Sequence, residues 1–201
     1  MLLYLIRHAK TIMNEWNIMN WQAQDPLSDA GMIQAQKLAE KFAKIPLDAL
    51  RTSDLSRTID TAKHIADVQD NLISKPDPRL RERDVWELEW VSLEKLRELA
   101  AAHGMKRSHF SEVDERVEKS ADIVKRFYAR YDEQIASSDH KAVWVVTHGA
   151  LIRILLAHLI GIPTADYLDT HTWIENTGVS IISIKDWHRR IVTINDFSHL
   201  L

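Results

Sequence analysis

The sequence predicts an α/β fold: a three-layer sandwich with a mostly parallel central sheet flanked by helices, as a single domain over residues 1–201. Three observations carry this. Leu2 to Ile6 and Ala142 to Val146 are unbroken apolar runs of strand length, the pattern of strands buried on both faces. Segments of helical period alternate with strand-like ones along the chain. With 45% apolar residues among 201, the chain is long enough for one sizeable core.

The elements follow in order. The first apolar run stops abruptly at Arg7-His8. Ala30 to Ile45 reads as a surface helix that buries Ile33, Leu38, Phe42 and Ile45 and is closed by Pro46. Leu47 to Thr52 reads as a second strand, and Ser53 or Asp54 is placed to cap a helix reaching Ala66. Leu72 to Ser74 reads as another short strand, ahead of the proline-punctuated Lys75-Pro76-Asp77-Pro78. Ser92 can cap a helix to His103 with a Leu93, Leu96, Leu99 stripe that stops before Gly104. Val113 to Ile135 reads as a longer helix with Val117, Ala121, Val124 and Tyr128 on one side. Ala150 to Ile160 resumes a helix after the second apolar run. Val179 to Ile184 and Ile191 to Asn195 read as a hairpin at a sheet edge, joined across Lys185 to Arg190.

Composition narrows the function. Lys plus Arg number 26 and Asp plus Glu 29, a formal charge of −3, so no global field draws nucleic acid or an anionic membrane. The absence of cysteine excludes a thiolate nucleophile, a disulfide framework and a Cys-type zinc site. No stretch approaches the ~20 apolar residues of a membrane span, and a cytoplasmic protein is the expectation.

His8 and His148 sit at equivalent places, each just past a buried strand, where open α/β sheets bind ligands. Arg7 adjoins the first, and Arg57 falls in the first turn of a helix. Gly149 and Ala150 open another helix, whose free N–H groups form an anion site. Two permanently charged, forked guanidiniums match phosphoryl oxygens, so a phosphate dianion is the natural guest. A metal triad of both histidines with Glu82 competes with this reading. Two neighbouring arginines would repel a divalent cation, and no HExxH spacing is present. Walker A, DxD, GxSxG and GxGxxG signatures are absent among only five glycines, which leaves histidine as the nucleophile candidate.

The same segments resemble a known family. Arg7-His8-Ala9-Lys10-Thr11 with Asn14 is similar to the R-H-G-E-T…N signature of the histidine phosphatase superfamily, the phosphoglycerate mutase-like proteins. Pro26 to Gly31 with Gln34-Ala35, Thr52 to Thr58 with Thr61-Ala62, Leu80-Arg81-Glu82, Val146 to Arg153, Asn176-Thr177 and Asn195 to Leu200 resemble its further motifs, in family order. The resemblance implies that His8 accepts the phosphoryl group and Glu82 protonates the leaving oxygen. It further implies that Arg7, Asn14, Arg57 and His148 hold the phosphoryl oxygens, with no cofactor and no metal.

Departures are visible too. Ala9-Lys10 stands for Gly-Glu, and Trp86 and Trp90 occupy both glycine positions of a G-x-W-E-G segment. Trp16, Trp21, Trp86, Trp90 and Trp173 form either an aromatic wall for the organic part of a substrate or ordinary packing beneath loops. The resemblance implies a phosphatase acting on small phosphorylated metabolites; a mutase or a non-catalytic phospholigand-binding module are the alternatives. Family mutases generally carry a longer insertion than Val91 to Ser111, and the module would require loss of His8, Glu82 or His148. A homodimer is compatible with the sequence.

Overall fold

A computed structural model describes residues 1–69, 72–102, 116–134, 139–163, 173–185 and 188–201. The strands are β1 (Leu2–Arg7), β2 (Ala49–Thr52), β3 (Lys75–Pro76), β4 (Ala142–Thr147), β5 (Val179–Lys185) and β6 (His188–Asp196). The helices are α1 (Ile12–Glu15), α2 (Asp29–Phe42), α3 (Ser56–Asp67), α4 (Leu93–Ala102), α5 (Ser120–Gln134) and α6 (Gly149–Leu159). No described helix is long and apolar enough to cross a membrane.

The strands form one sheet in the order β3-β2-β4-β1-β5-β6. The pairs from β3 to β1 are parallel, whereas β1–β5 and β5–β6 are antiparallel, so the sheet is mixed. The C-terminal hairpin lies at one edge, as the sequence predicts.

Both central strands alternate between two apolar faces, which is why their sequences show no polar alternation. Leu3, Leu5, Val143 and Val145 meet Ile123 and Phe127 of α5 and Leu151 and Leu155 of α6. Tyr4, Ile6, Trp144 and Val146 meet Leu38 and Phe42 of α2 and Ala62 and Ile65 of α3. Each such side chain contributes roughly 1.5–3 kcal/mol by leaving water.

Several elements depart from the sequence reading. In α2 the buried stripe is Ala35, Leu38, Ala39 and Phe42, while Ile33 is 58% exposed. In α5, which begins at Ser120, Ile123, Val124 and Phe127 are buried and Ala121 is exposed. The third short strand is Lys75–Pro76, with Ile73 before it 80% exposed. Pro76 is tolerated because β3 is an edge strand and needs no outward N–H. Helix α3 has Leu55 at its N-cap and no side-chain cap. Asp54 instead pairs with Arg81 through both carboxylate oxygens at 2.6 Å. Ser92 does cap α4, accepting from the Lys95 N–H at 3.1 Å. His103, residues 113–115 and Ile135 of the expected helices, the end of the Val91 to Ser111 stretch, and the side chains of Leu93 and Leu96 lie outside the described residues.

The loop leaving β1 is moulded onto the start of α2. The Lys10 carbonyl accepts from the Ser28 N–H at 3.0 Å, and the Lys10 N–H donates to Gln34 Oε1 at 3.0 Å. This close approach requires glycine at 31, because a Cβ there would stand 1.9 Å from the Lys10 carbonyl oxygen. Gly31→Ala is therefore expected to destabilise the fold by about 2 kcal/mol, measured as a lower urea midpoint; an unchanged midpoint would show that the loop is not fixed by this contact.

Candidate active site

The parallel strands deliver their C-terminal ends to one side of the sheet. β1 and β4 pair with Arg7 opposite Thr147. The ladder continues one residue further, the His8 N–H donating to the Thr147 carbonyl at 2.9 Å. His8 and His148 therefore emerge side by side, with ring centroids 5.3 Å apart.

Both imidazoles are buried. His8 Nδ1 lies 2.8 Å from the Ala9 carbonyl oxygen. A carbonyl can only accept, so Nδ1 carries the proton and Nε2 keeps its lone pair. Burial, then Arg57 and Arg7, hold His8 well below the ordinary imidazole range. Burial, then Arg57 and His8, do the same to His148. Both rings are consequently neutral at physiological pH.

Arg57, in the first turn of α3, is 1% exposed. Its NH1 donates to the Ala23 carbonyl at 2.8 Å and its NH2 to the Trp21 carbonyl at 2.6 Å. Arg7 NH1 donates to the Ile174 carbonyl at 2.6 Å, and the Trp173 ring stacks 5.4 Å from its guanidinium carbon. Desolvation lowers both guanidiniums, Arg57 to about 10, and Glu82 is the strongest charge opposing this on each. Both remain cationic at neutral pH. Arg7 Nε, Arg57 Nε and both ring nitrogens of His148 are buried yet hydrogen-bond to nothing among the described residues. The charges of the two guanidiniums both act on His8.

Glu82 is buried against the start of α6. Its Oε2 accepts from the Ala150 N–H at 2.9 Å, and its Oε1 from the Leu151 and Arg83 N–H groups, each at 3.0 Å. The helix N-terminus expected to be free for a ligand anion is thus already taken up by the Glu82 carboxyl group, apart from the Gly149 N–H. Gly149 has a further reason to be glycine: a Cβ would lie 3.3 Å from Arg7 Nε and crowd the guanidinium. Asn14 closes the capping box that Thr11 opens on α1, with Oδ1 accepting from the Thr11 N–H at 3.3 Å and from Asn176 Nδ2 at 3.2 Å. That leaves its Nδ2 as the donor end.

The structure adds positioning groups for which sequence reasoning named no role. Asn176 Nδ2 donates to the His8 carbonyl at 3.0 Å. Thr177, held at φ 61°, donates its N–H to the carbonyls of Arg7 and His8 at 3.1 and 3.3 Å. The Thr61 hydroxyl accepts from the Ala9 N–H at 2.9 Å, and the Thr147 hydroxyl donates to the Leu80 carbonyl at 2.7 Å, tying β4 to the segment that carries Glu82. Asn176-Thr177 and Thr61 lie within segments the resemblance marks, which is the signal that could have found them. Of the tryptophans, Trp21 is buried in a small cluster with Val85 and Val117, whereas Trp16, Trp86, Trp90 and Trp173 are 49–64% exposed.

The family model of the histidine phosphatase superfamily (branch 1) matches residues 3–197. The chain belongs to that superfamily. It is 29% identical over 214 residues to the Proteus mirabilis protein named "Probable phosphoglycerate mutase GpmB", covering 98% of this chain and 94% of that one. Bacillus stearothermophilus YhfR shares the fold with a TM-score of 0.87 at 22% identity, over 100% of this chain and 99% of that one. A mycobacterial glucosyl-3-phosphoglycerate phosphatase, solved with VO3, matches with a TM-score of 0.84 at 25% identity, over 96% and 98% of the two chains.

The buried imidazoles of this superfamily member set a pH dependence of folding. His8 and His148 are depressed in the folded state, as is His199, held at about 4 by burial and Lys41. The unfolded chain binds more protons below the ordinary imidazole pKa of about 6.5. Stability is therefore complete above about pH 6.5 and lost progressively as pH falls. Urea unfolding is expected to show a lower midpoint at pH 5 than at pH 7.5, by a smaller difference in His148→Gln; equal differences in both proteins would count against a buried neutral His148.

Proposed function

We propose that this chain is a metal-independent phosphomonoesterase hydrolysing phosphate esters of small metabolites through a phosphohistidine on His8. The observation that carries the reading is that Arg7 Nε, Arg57 Nε and the His148 ring nitrogens, buried and without a hydrogen-bond partner among the described residues, lie around a neutral His8 whose Nε2 keeps its lone pair. A tetrahedral dianion satisfies those donors, and two guanidiniums beside it disfavour a cation at the same place.

In the first step the phosphoryl oxygens lie on Arg7, Arg57, Asn14 and His148, while His8 Nε2 bonds to phosphorus and the ester oxygen leaves with a proton from Glu82. A carboxyl oxygen that accepts one N–H bond keeps room for a proton, so the contacts of Glu82 are compatible with donating it. In the second step Glu82, now a carboxylate, takes a proton from water as the water oxygen attacks phosphorus, restoring neutral His8 and releasing phosphate. The guanidiniums stabilise the charge spread over the equatorial oxygens in both steps. The exposed indole of Trp173, stacked on Arg7, offers an apolar face to the organic part of the ester.

A mutase-type transfer shares the first step, and the name of the Proteus mirabilis relative favours it. Release of free phosphate from p-nitrophenyl phosphate, set against isomerisation of 3-phosphoglycerate, separates the two; efficient isomerisation without phosphate release would replace the hydrolytic reading.

His8→Ala is expected to abolish turnover while leaving the native circular dichroism spectrum in place; substantial residual hydrolysis would remove His8 as the acceptor. Glu82→Gln is expected to slow alkyl phosphates by about a hundredfold or more and p-nitrophenyl phosphate far less, since only a poor leaving group needs the proton. Equal slowing of both substrates would exclude Glu82 as the acid.

A further inference from the structure

We propose that Glu89 is a positioning residue for Arg57, acting through the backbone of residues 21–23. The proposal rests on the reading of Arg57 as a donor to the phosphoryl oxygens.

The Glu89 carboxylate gathers three successive amides. Its Oε1 accepts from the N–H groups of Trp21, Ala23 and Gln22 at 2.8, 3.1 and 3.2 Å, and its Oε2 accepts again from Gln22 at 3.1 Å. Consecutive N–H groups converging on one anion form a nest, a geometry that fixes the backbone around it. The consequence for Arg57 follows from peptide planarity. The Gln22 N–H and the Trp21 carbonyl belong to one planar trans peptide and point in opposite directions. Anchoring that N–H on Glu89 therefore turns the Trp21 carbonyl away from Glu89, onto Arg57 NH2 at 2.6 Å. Ala23, held by its own N–H, places its carbonyl on Arg57 NH1 at 2.8 Å. With one carbonyl on each terminal nitrogen the guanidinium plane is fixed, and the buried Nε–H has no hydrogen-bond partner among the described residues.

Glu89 is itself held by a strained turn. Trp90 takes φ 67°, a left-handed conformation that costs a tryptophan roughly 1–2 kcal/mol, and Trp86 takes φ 52°. Reciprocal hydrogen bonds with Met19, from the Trp90 N–H at 3.2 Å and to the Val91 carbonyl at 3.1 Å, lock this turn beside the 21–23 segment. The glycine-like backbone thus persists with indoles on it, and what it delivers is the carboxylate between them. The negative charge of Glu89 also acts directly on the buried Arg57.

The test is a double-mutant cycle read by orthovanadate inhibition and by KM and kcat for p-nitrophenyl phosphate, with urea midpoints for every variant. Glu89→Gln is expected to raise the vanadate inhibition constant and KM by about tenfold in the wild-type background. In Arg57→Ala the same substitution is expected to change them by less than about twofold, because the group it aims is gone. Glu89→Asp, which keeps the charge, is expected to lie between wild type and Glu89→Gln and serves in place of Glu89→Gln should that variant not fold. An unchanged vanadate constant in both Glu89 variants, or an equal loss with and without Arg57, overturns the relay. Should Arg57→Ala itself leave vanadate inhibition untouched, the phosphoryl-site reading fails first and takes the relay with it.

Discussion

The parallel pairing of β1 with β4 is the constraint on which the candidate site depends. It sets Arg7 opposite Thr147 and carries the His8 N–H onto the Thr147 carbonyl, so that two residues distant in sequence leave the sheet as neighbours. A slip of one residue would turn every side chain of β1 to the other face, sending Leu3 and Leu5 into the layer of Tyr4 and Ile6 and separating the imidazoles. The fit of differently shaped side chains in the two layers therefore fixes the register, and the register fixes the site. Hydrophobic packing here is the reason two histidines meet.

What the strands bring together is electrostatically unfavourable to bury. Two guanidiniums lie beside two imidazoles, and the positive field keeps both rings neutral. The fold supports the arginines with carbonyls of Ile174, Trp21 and Ala23 and with the Glu82 carboxylate, which is itself held at the N-terminus of α6. This support is incomplete, since Nε of each arginine has no hydrogen-bond partner among the described residues. Residues in left-handed conformations, Thr177 behind His8 and Trp90 beside Glu89, sit next to the groups that must be aimed. Strain of that kind persists only where surrounding contacts over-determine it, and it accumulates at functional sites.

Much of the fold was legible before the structure. The two apolar runs, the helices around Leu38 and Leu155 and the C-terminal hairpin all follow from periodicity and run length. The misreadings share a cause. Spacing places Ile33 in the core, but α2 turns its small Ala35 and Ala39 inward, on the same face as Gly31, where the Lys10 loop approaches closely. Asp54 has the chemistry of a helix cap, yet Arg81, 27 residues away, takes its carboxylate. In each case a contact distant in sequence outweighed a local preference.

The sheet's central strands and the residue types gathered for an anion are legible in the sequence because apolar runs, histidines and arginines at strand ends are local features, and the order of its motifs carries the likeness to the family. Which donors lack a partner among the described residues, the seat of Glu82 at the helix terminus beside Gly149, and the path from Glu89 to Arg57 through residues 21–23 emerge only when the chain is folded. Those outcomes depend on hydrogen bonds between segments up to about 70 residues apart, whose geometry the packing of the two layers on the sheet sets.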